Sequence, residues 1–233
     1  MKTMKPAFWA RRAHKWIGLI VGVQALLWML SGVYMTVVPL DVIHGDHLAH
    51  AHGEVLPRAS ERVAPAELTT RYPGLRSFRL THVLEREVFD VRDATDRFLV
   101  DARTGERLPP LDRDQAIALA QSLYQGDGQV SRVEWITRAP AEVKTRPVPM
   151  WAVHFADRGD TTLYLSPASG DLLARRHSLW RWFDFLWMFH IMDYEHRTDV
   201  NNLLLRIAAI TGLGFALSGL WLLIYSFGSR RSA

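Results

Sequence analysis

The sequence predicts an α+β membrane protein in which two transmembrane helices flank a periplasmic domain of two α-β-β-β repeats. Three observations carry this expectation. Two uncharged apolar runs, Trp16–Val38 and Ile207–Phe227, lie near opposite ends of the chain; the polar stretch between them twice passes from a helical pattern into three strand-like segments; and basic residues crowd just outside both apolar runs. At about 1.5 Å rise per residue, each run spans roughly 30 Å of hydrocarbon as a helix. Gln24 is the only strongly polar side chain inside them.

Residues 1–15 form a basic tail, since Lys2, Lys5, Arg11, Arg12 and Lys15 precede the first span without an acidic residue; Arg230 and Arg231 follow the second. Positively charged flanks stay on the cytoplasmic side. Both termini are therefore expected in the cytoplasm of a bacterium, the spans in its inner membrane and the long middle segment in the periplasm. The first transmembrane helix is assigned to 16–38. Ala49-His50-Ala51 resembles a signal-cleavage triplet, but about 22 apolar residues exceed the usual signal-peptide core, so an uncleaved anchor is expected.

Residues 39–58 read as a His-rich outer linker, and 59–110 as the first repeat. Its helix is placed at Ala66–Tyr72, and its strands at Ser77–His82, Glu87–Arg92 and Arg97–Asp101, closed by Thr104-Gly105-Glu106. The second repeat, 111–176, has Ala116, Ile117, Ala120 and Leu123 at helical spacing within Arg113–Tyr124. Its strands are placed at Gln129–Ile136, Met150–Phe155 and Thr161–Leu165, closed by Ser169-Gly170-Asp171. Gly105 and Gly170 lie 65 positions apart, and at that offset Phe98 and Val100 fall on Leu163 and Leu165. About 45 residues is near the lower limit for independent folding, so the two repeats are expected to share one core. Thr137–Pro149, with three prolines, reads as an exposed loop. An aromatic interfacial segment, 177–202, leads into the second transmembrane helix, 203–227, and a cytoplasmic tail, 228–233.

Composition excludes several classes. The chain has 233 residues, a net charge of +4 and no cysteine. Disulfides, thiolate nucleophiles, iron–sulfur clusters and covalent c-type haem are ruled out, so any redox cofactor must rest on His, Met, Tyr or carboxylates. The positive excess belongs largely to the tails, and no nucleic-acid partner is expected. There is no Ser-His-Asp order, no His-Glu-x-x-His, no phosphate-binding loop and no dinucleotide fingerprint, so no catalytic residue is assigned.

The repeated helix-and-strands pattern, with Asp101-Ala102-Arg103-Thr104-Gly105-Glu106 closing its first copy and Ser166-Pro167-Ala168-Ser169-Gly170-Asp171 its second, resembles the PepSY domain. Arg12-Ala13-His14-Lys15-Trp16-Ile17-Gly18-Leu19, Ser31-Gly32-Val33 and Ser218-Gly219-Leu220 resemble the membrane helices of PepSY-associated transmembrane proteins. Larger relatives with four spans look like haem-containing membrane reductases of siderophore-bound iron, whereas soluble PepSY modules are similar to inhibitory or regulatory propeptides. This chain has two spans and departs from the reductase pattern.

Ten histidines supply the candidate donors. His14, at the cytoplasmic mouth of the first span, occupies a position where the family motif also has His, and could ligate a b-type haem. His44, His47, His50 and His52 fall within nine residues; if the first helix continued, neighbouring members would share a face and could hold Fe, Cu or Zn, with Asp41 or Asp46 as outer partners. His190 and His196 belong to the aromatic segment, and Phe189-His190 resembles the family's outer-side Leu-His motif; the two tracts could close one site. His82, His154 and His177 read as ordinary surface or core residues. Gly18, Gly22, Gly212, Gly214 and Gly219 read as small residues that let membrane helices approach.

The function expected is an accessory in iron or siderophore uptake or in membrane electron transfer, with haem b or a transition metal at its periplasmic face. It would be at most a component of a membrane reductase, in contact with lipids and with a second copy or a membrane redox partner. The alternatives are a non-redox periplasmic interaction module, inhibitor-like or an assembly factor, and a His-rich metal carrier.

Overall fold

The computed structural model describes the backbone of residues 6–50 and 61–228 and, within these, the side chains of Arg12, 15–50 and 61–221. The chain falls into two compact units, Met1–Pro39 with Trp182–Ala233, and Leu40–Arg181.

The first unit holds α1 (Pro6–Val37), most of α5 (Ser178–Ile191) and α6 (Leu203–Gly228). Lys15–Val37 and Leu203–Trp221 are long and apolar enough to cross a membrane. Ile20 at 69% exposure and Leu203 and Ile210 at 72% leave whole side chains uncovered by protein, which suits helices whose surroundings are lipid tails. Gly18 lets α1 approach α6: a Cβ there would lie 3.1 Å from the Phe215 ring. Gly22, Gly212, Gly214 and Gly219 have no described atom within 4 Å of such a Cβ, so among the described residues the close approach expected at five glycines is seen at Gly18. Gly22 and Gly212 instead line an apolar cavity of about 840 Å³ between the helices.

The second unit begins with the short α2 (Leu40–His44). Its backbone turns at Gly45, φ +71°, with Gly45 N–H bonded to Val42 O and Asp46 N–H to Asp41 O. The helix therefore stops at His44, and the shared helical face expected for His44, His47 and His50 does not form. After α3 (Pro65–Arg71) come β1 (Ser77–Val83), β2 (Arg86–Arg92) and β3 (Arg97–Asp101), an antiparallel sheet in chain order. After α4 (Arg113–Leu123) come β4 (Val130–Ile136), β5 (Met150–Phe155), β6 (Thr162–Leu165) and β7 (Leu172–Arg176), again antiparallel in chain order. The second meander thus has four strands, where three were expected; β7 pairs along β6 beyond the closing turn.

Alternation along the strands explains how the layers pack. In the first sheet Phe89, Val91, Phe98 and Val100 bury one face with Leu68 of α3, while Val83, Val88 and Leu99 join Leu119 and Leu123 of α4. On the other side of α4 lie Val153, Phe155, Leu163 and Leu165 of the second sheet. Strands of both sheets therefore share one core, Val83, Val88 and Leu99 with Leu163 and Leu165, while Phe98 and Val100 point to the other face of the first sheet, which is covered on both sides. The far face of the second sheet buries Met150, Ala152 and Tyr164 with Val143. Val143 carries its segment down onto the sheet, so Thr137–Pro149 is anchored and not simply an exposed loop.

The two closing turns match atom for atom. Gly105 N–H bonds Asp101 O and Asp101 N–H bonds Glu106 O, each 2.9 Å; Gly170 N–H bonds Ser166 O and Ser166 N–H bonds Asp171 O, each 2.9 Å. Both glycines adopt positive φ, +68° and +71°, which a side chain would strain. Asp171 of the second turn then pairs with Arg97 of β3, whose fork also grips the buried Asp90 at 2.6 and 2.7 Å. The two sheets are tied by this charge network as well as by α4.

Candidate functional site

A helix end leaves its last carbonyls without intrahelical donors, and in an apolar setting each must be met from elsewhere. For α5 the donors come from the flanking membrane segments. Gln24 Nε2 donates to Phe189 O (3.3 Å), Trp28 Nε1 to His190 O (2.9 Å) and Asn202 Nδ2 to Ile191 O (2.8 Å). Gln24, Trp28 and Ser31 recur at spacings of four and three, on one face of α1.

Ser31 fixes the chemistry of His190. It is fully buried, its hydroxyl donates to Leu27 O at 2.8 Å, and its Oγ lies 2.8 Å from His190 Nδ1. Ser31 Oγ also lies 3.1 Å from Trp28 O; when its single proton goes to one of these two carbonyls, the contact with His190 is made by Nδ1–H donating to Ser31 Oγ. A neutral ring with its proton on Nδ1 carries its lone pair on Nε2. Trp187 lies nearly parallel to the imidazole, with 10° between the planes. In that tautomer Nε2 carries the lone pair of a ring that lies between Ser31 and Trp187.

His196 belongs to the turn after α5, which is organised by Asp193. Its carboxylate accepts from the backbone N–H of Asp199, His196 and Thr198 at 2.9–3.0 Å, and these bonds hold its pKa well below the usual carboxylate range. The His196 ring is exposed, with Nε2 3.9 Å from Glu195. His14 lies on α1, but its side chain is outside the described residues.

The tract His44–His52 belongs to the other unit. His44 ends α2 and is exposed; His47 lies in the following turn, edge-on to His177 with ring centroids 6.0 Å apart; His50 follows the bridge that Ala49 makes to Tyr124. His52 lies outside the described residues. Among the described residues no three His, Asp or Glu side chains gather closely enough to hold a metal ion. His177 is buried and donates from Nε2 to Ile43 O (3.1 Å). Burial pushes its pKa below the usual histidine value, and His47 adds to the shift. His154 is satisfied by Glu134 (3.1 Å) and Thr162 (3.0 Å), and His82 lies 3.8 Å from Glu87.

The sequence reading named His190 but missed its partners. Ser31 was noted only as part of a family resemblance, and Gln24 as an isolated polar residue. Their spacing of seven, with Trp28 between, was the available signal of a polar seam on one helix face.

Two membrane-length helices around two antiparallel sheets define an integral membrane protein of α+β class. Residues 11–233 match the family described as the PepSY-associated TM region, and the chain belongs to that family. No curated protein and no solved structure matches it.

Proposed function

We propose that this protein is an inner-membrane accessory of electron transfer in iron or siderophore uptake, with its termini in the cytoplasm and its sheets in the periplasm. We read its two helix-and-meander segments as two PepSY-like repeats, a reading supported by the matching hydrogen bonds of the Gly105 and Gly170 turns. The function rests on one observation: the 2.8 Å contact between Ser31 Oγ and His190 Nδ1, which supports a tautomer with the proton on Nδ1 and the lone pair on Nε2. One such imidazole suits one axial position of haem b, or one position on Fe, Cu or Zn. The remaining donor would come from a second copy or a membrane partner, with His14 and His196 as candidates for further ligands and the His44–His52 tract as a separate candidate for a metal. Bound haem would supply one-electron chemistry; the chain's own part is to orient the imidazole and to keep its tautomer.

The test is the absorption spectrum and metal content of the full-length protein purified in detergent. Wild type should show a haem band or bound metal. Ser31→Ala, which removes the acceptor for Nδ1–H, should lower occupancy about tenfold; His190→Ala should abolish it, and His154→Ala should leave it unchanged. Equal occupancy in wild type and His190→Ala, at equal folded protein, rejects the assignment.

One observation favours a second reading as an interaction module. A cleft of about 720 Å³ in the Leu40–Arg181 unit has an apolar floor that includes Val83, Val88, Leu99 and Leu119 and a polar edge of His82, Glu85 and Arg86. A colourless, metal-free and fully folded wild type would make this the better account.

A further inference from the structure

Away from the histidine chemistry, the Leu40–Arg181 unit contains a cavity of about 430 Å³ whose polar lining is Arg146, Arg175, Arg176, His44 and Asp46, with Trp180 at its side. Three arginines and one aspartate line it. Two of the arginines have guanidinium groups held by neighbours. Arg175 pairs with Asp46 at 2.6 Å and also donates to Ala49 O. Arg176 donates from Nε to Glu142 O (2.8 Å) and from one terminal nitrogen to Arg175 O (2.7 Å), with its guanidinium carbon 3.8 Å above the Trp180 ring. Arg146 is exposed, and its backbone N–H bonds the carbonyl of the buried Val143 (2.8 Å).

This arrangement is preorganised for an anion, because two of the forks are held before any ligand arrives and little ordering entropy remains to be lost. Planar guanidinium forks match pairs of phosphate oxygens. In the chain His44 comes seven positions after Val37, the end of a helix long enough to cross a membrane, so the phosphate groups in local supply are those of a lipid surface. We propose that this cavity binds the phosphodiester headgroup of an anionic phospholipid. Arg146 closes on the phosphate from the solvent side, and Arg175 and Arg176 form the fixed base. The assignment is independent of haem or metal at His190.

The test uses the full-length protein in detergent, titrated separately with short-chain phosphatidylglycerol, short-chain phosphatidylcholine and inorganic phosphate. Thermal stabilisation is read alongside the number of lipids retained in native mass spectrometry. Phosphatidylglycerol should stabilise the wild type. Arg146→Gln should weaken its apparent affinity about fivefold or more, and Arg103→Gln, an equal loss of charge on an exposed turn, should change it less than about twofold. An equal effect of the two variants, or no effect of Arg146→Gln, overturns the site. Phosphatidylcholine or inorganic phosphate acting as strongly as phosphatidylglycerol overturns the assignment to an anionic lipid.

Discussion

His177 and His190 show how one residue type is put to different uses by its neighbours. His177 is enclosed in the Leu40–Arg181 unit with its Nε2 bonded to Ile43 O, and its pKa lies below the usual value. In the unfolded chain the same ring takes up a proton near pH 6.5, so below that pH the unfolded state binds more protons than the folded one. Its contribution to stability is complete above about pH 6.5 and is lost as pH falls toward the folded-state pKa. Melting temperatures measured from pH 7.5 to 5.5 should therefore fall more for wild type than for His177→Gln, by about 2 °C or more; parallel curves would show that His177 does not control this response. His190, on a helix facing the membrane segment of α1, has its Nδ1 2.8 Å from the buried Ser31 hydroxyl. The sequence distinguished neither role from the residue itself, because Ile43 and Ser31 stand 134 and 159 positions away. What it did offer at short range was turn chemistry: the Asp93 carboxylate accepts from Thr95 and Asp96 N–H, as an aspartate at a hairpin tip is expected to do.

At the level of elements, the helices and strands with strong local patterns were legible. The predicted Arg113–Tyr124 helix is observed as Arg113–Leu123, started by a reciprocal cap in which Asp112 accepts from Gln115 N–H (2.9 Å) and Gln115 Oε1 accepts from Asp112 N–H (3.0 Å). Since α4 packs against strands of both sheets, loss of this cap should be felt globally. Asp112→Ala is expected to lower unfolding stability by about 1 kcal/mol, while the exposed Asp114→Ala should change it by less than about 0.5 kcal/mol. Denaturant unfolding of the full-length protein checks this, and an equal effect of both variants would contradict it. Strand β7 was missed because Leu172-Leu173-Ala174-Arg175-Arg176 lacks a two-residue alternation; its pairing is set by the neighbouring β6. The break at Gly45 was missed for a related reason: a glycine alone does not say whether a helix is crossed or stopped, and here the stop is fixed by backbone bonds within Asp41–Asp46.

For the whole molecule, the two apolar spans and the separate polar domain were readable because they rest on composition over long windows, whereas the split of the domain into distinct cores depends on which strand faces which helix. The orientation proposed from the basic flanks has a direct measurement. An alkaline phosphatase fusion after Gly128 should be active and one after Ala233 inactive; the reverse pattern would put the sheets in the cytoplasm. The chain order of the first unit also has a consequence in time. Gln24 in α1 and its acceptor on Phe189 are 165 positions apart, which at 5–20 residues per second corresponds to about 8 to 33 s of synthesis. For that interval the nascent α1 carries the Gln24, Trp28 and Ser31 polar groups without their α5 partners. A chain arrested before Phe189 is left in that state, which distinguishes an unfinished molecule from a complete one inside the membrane.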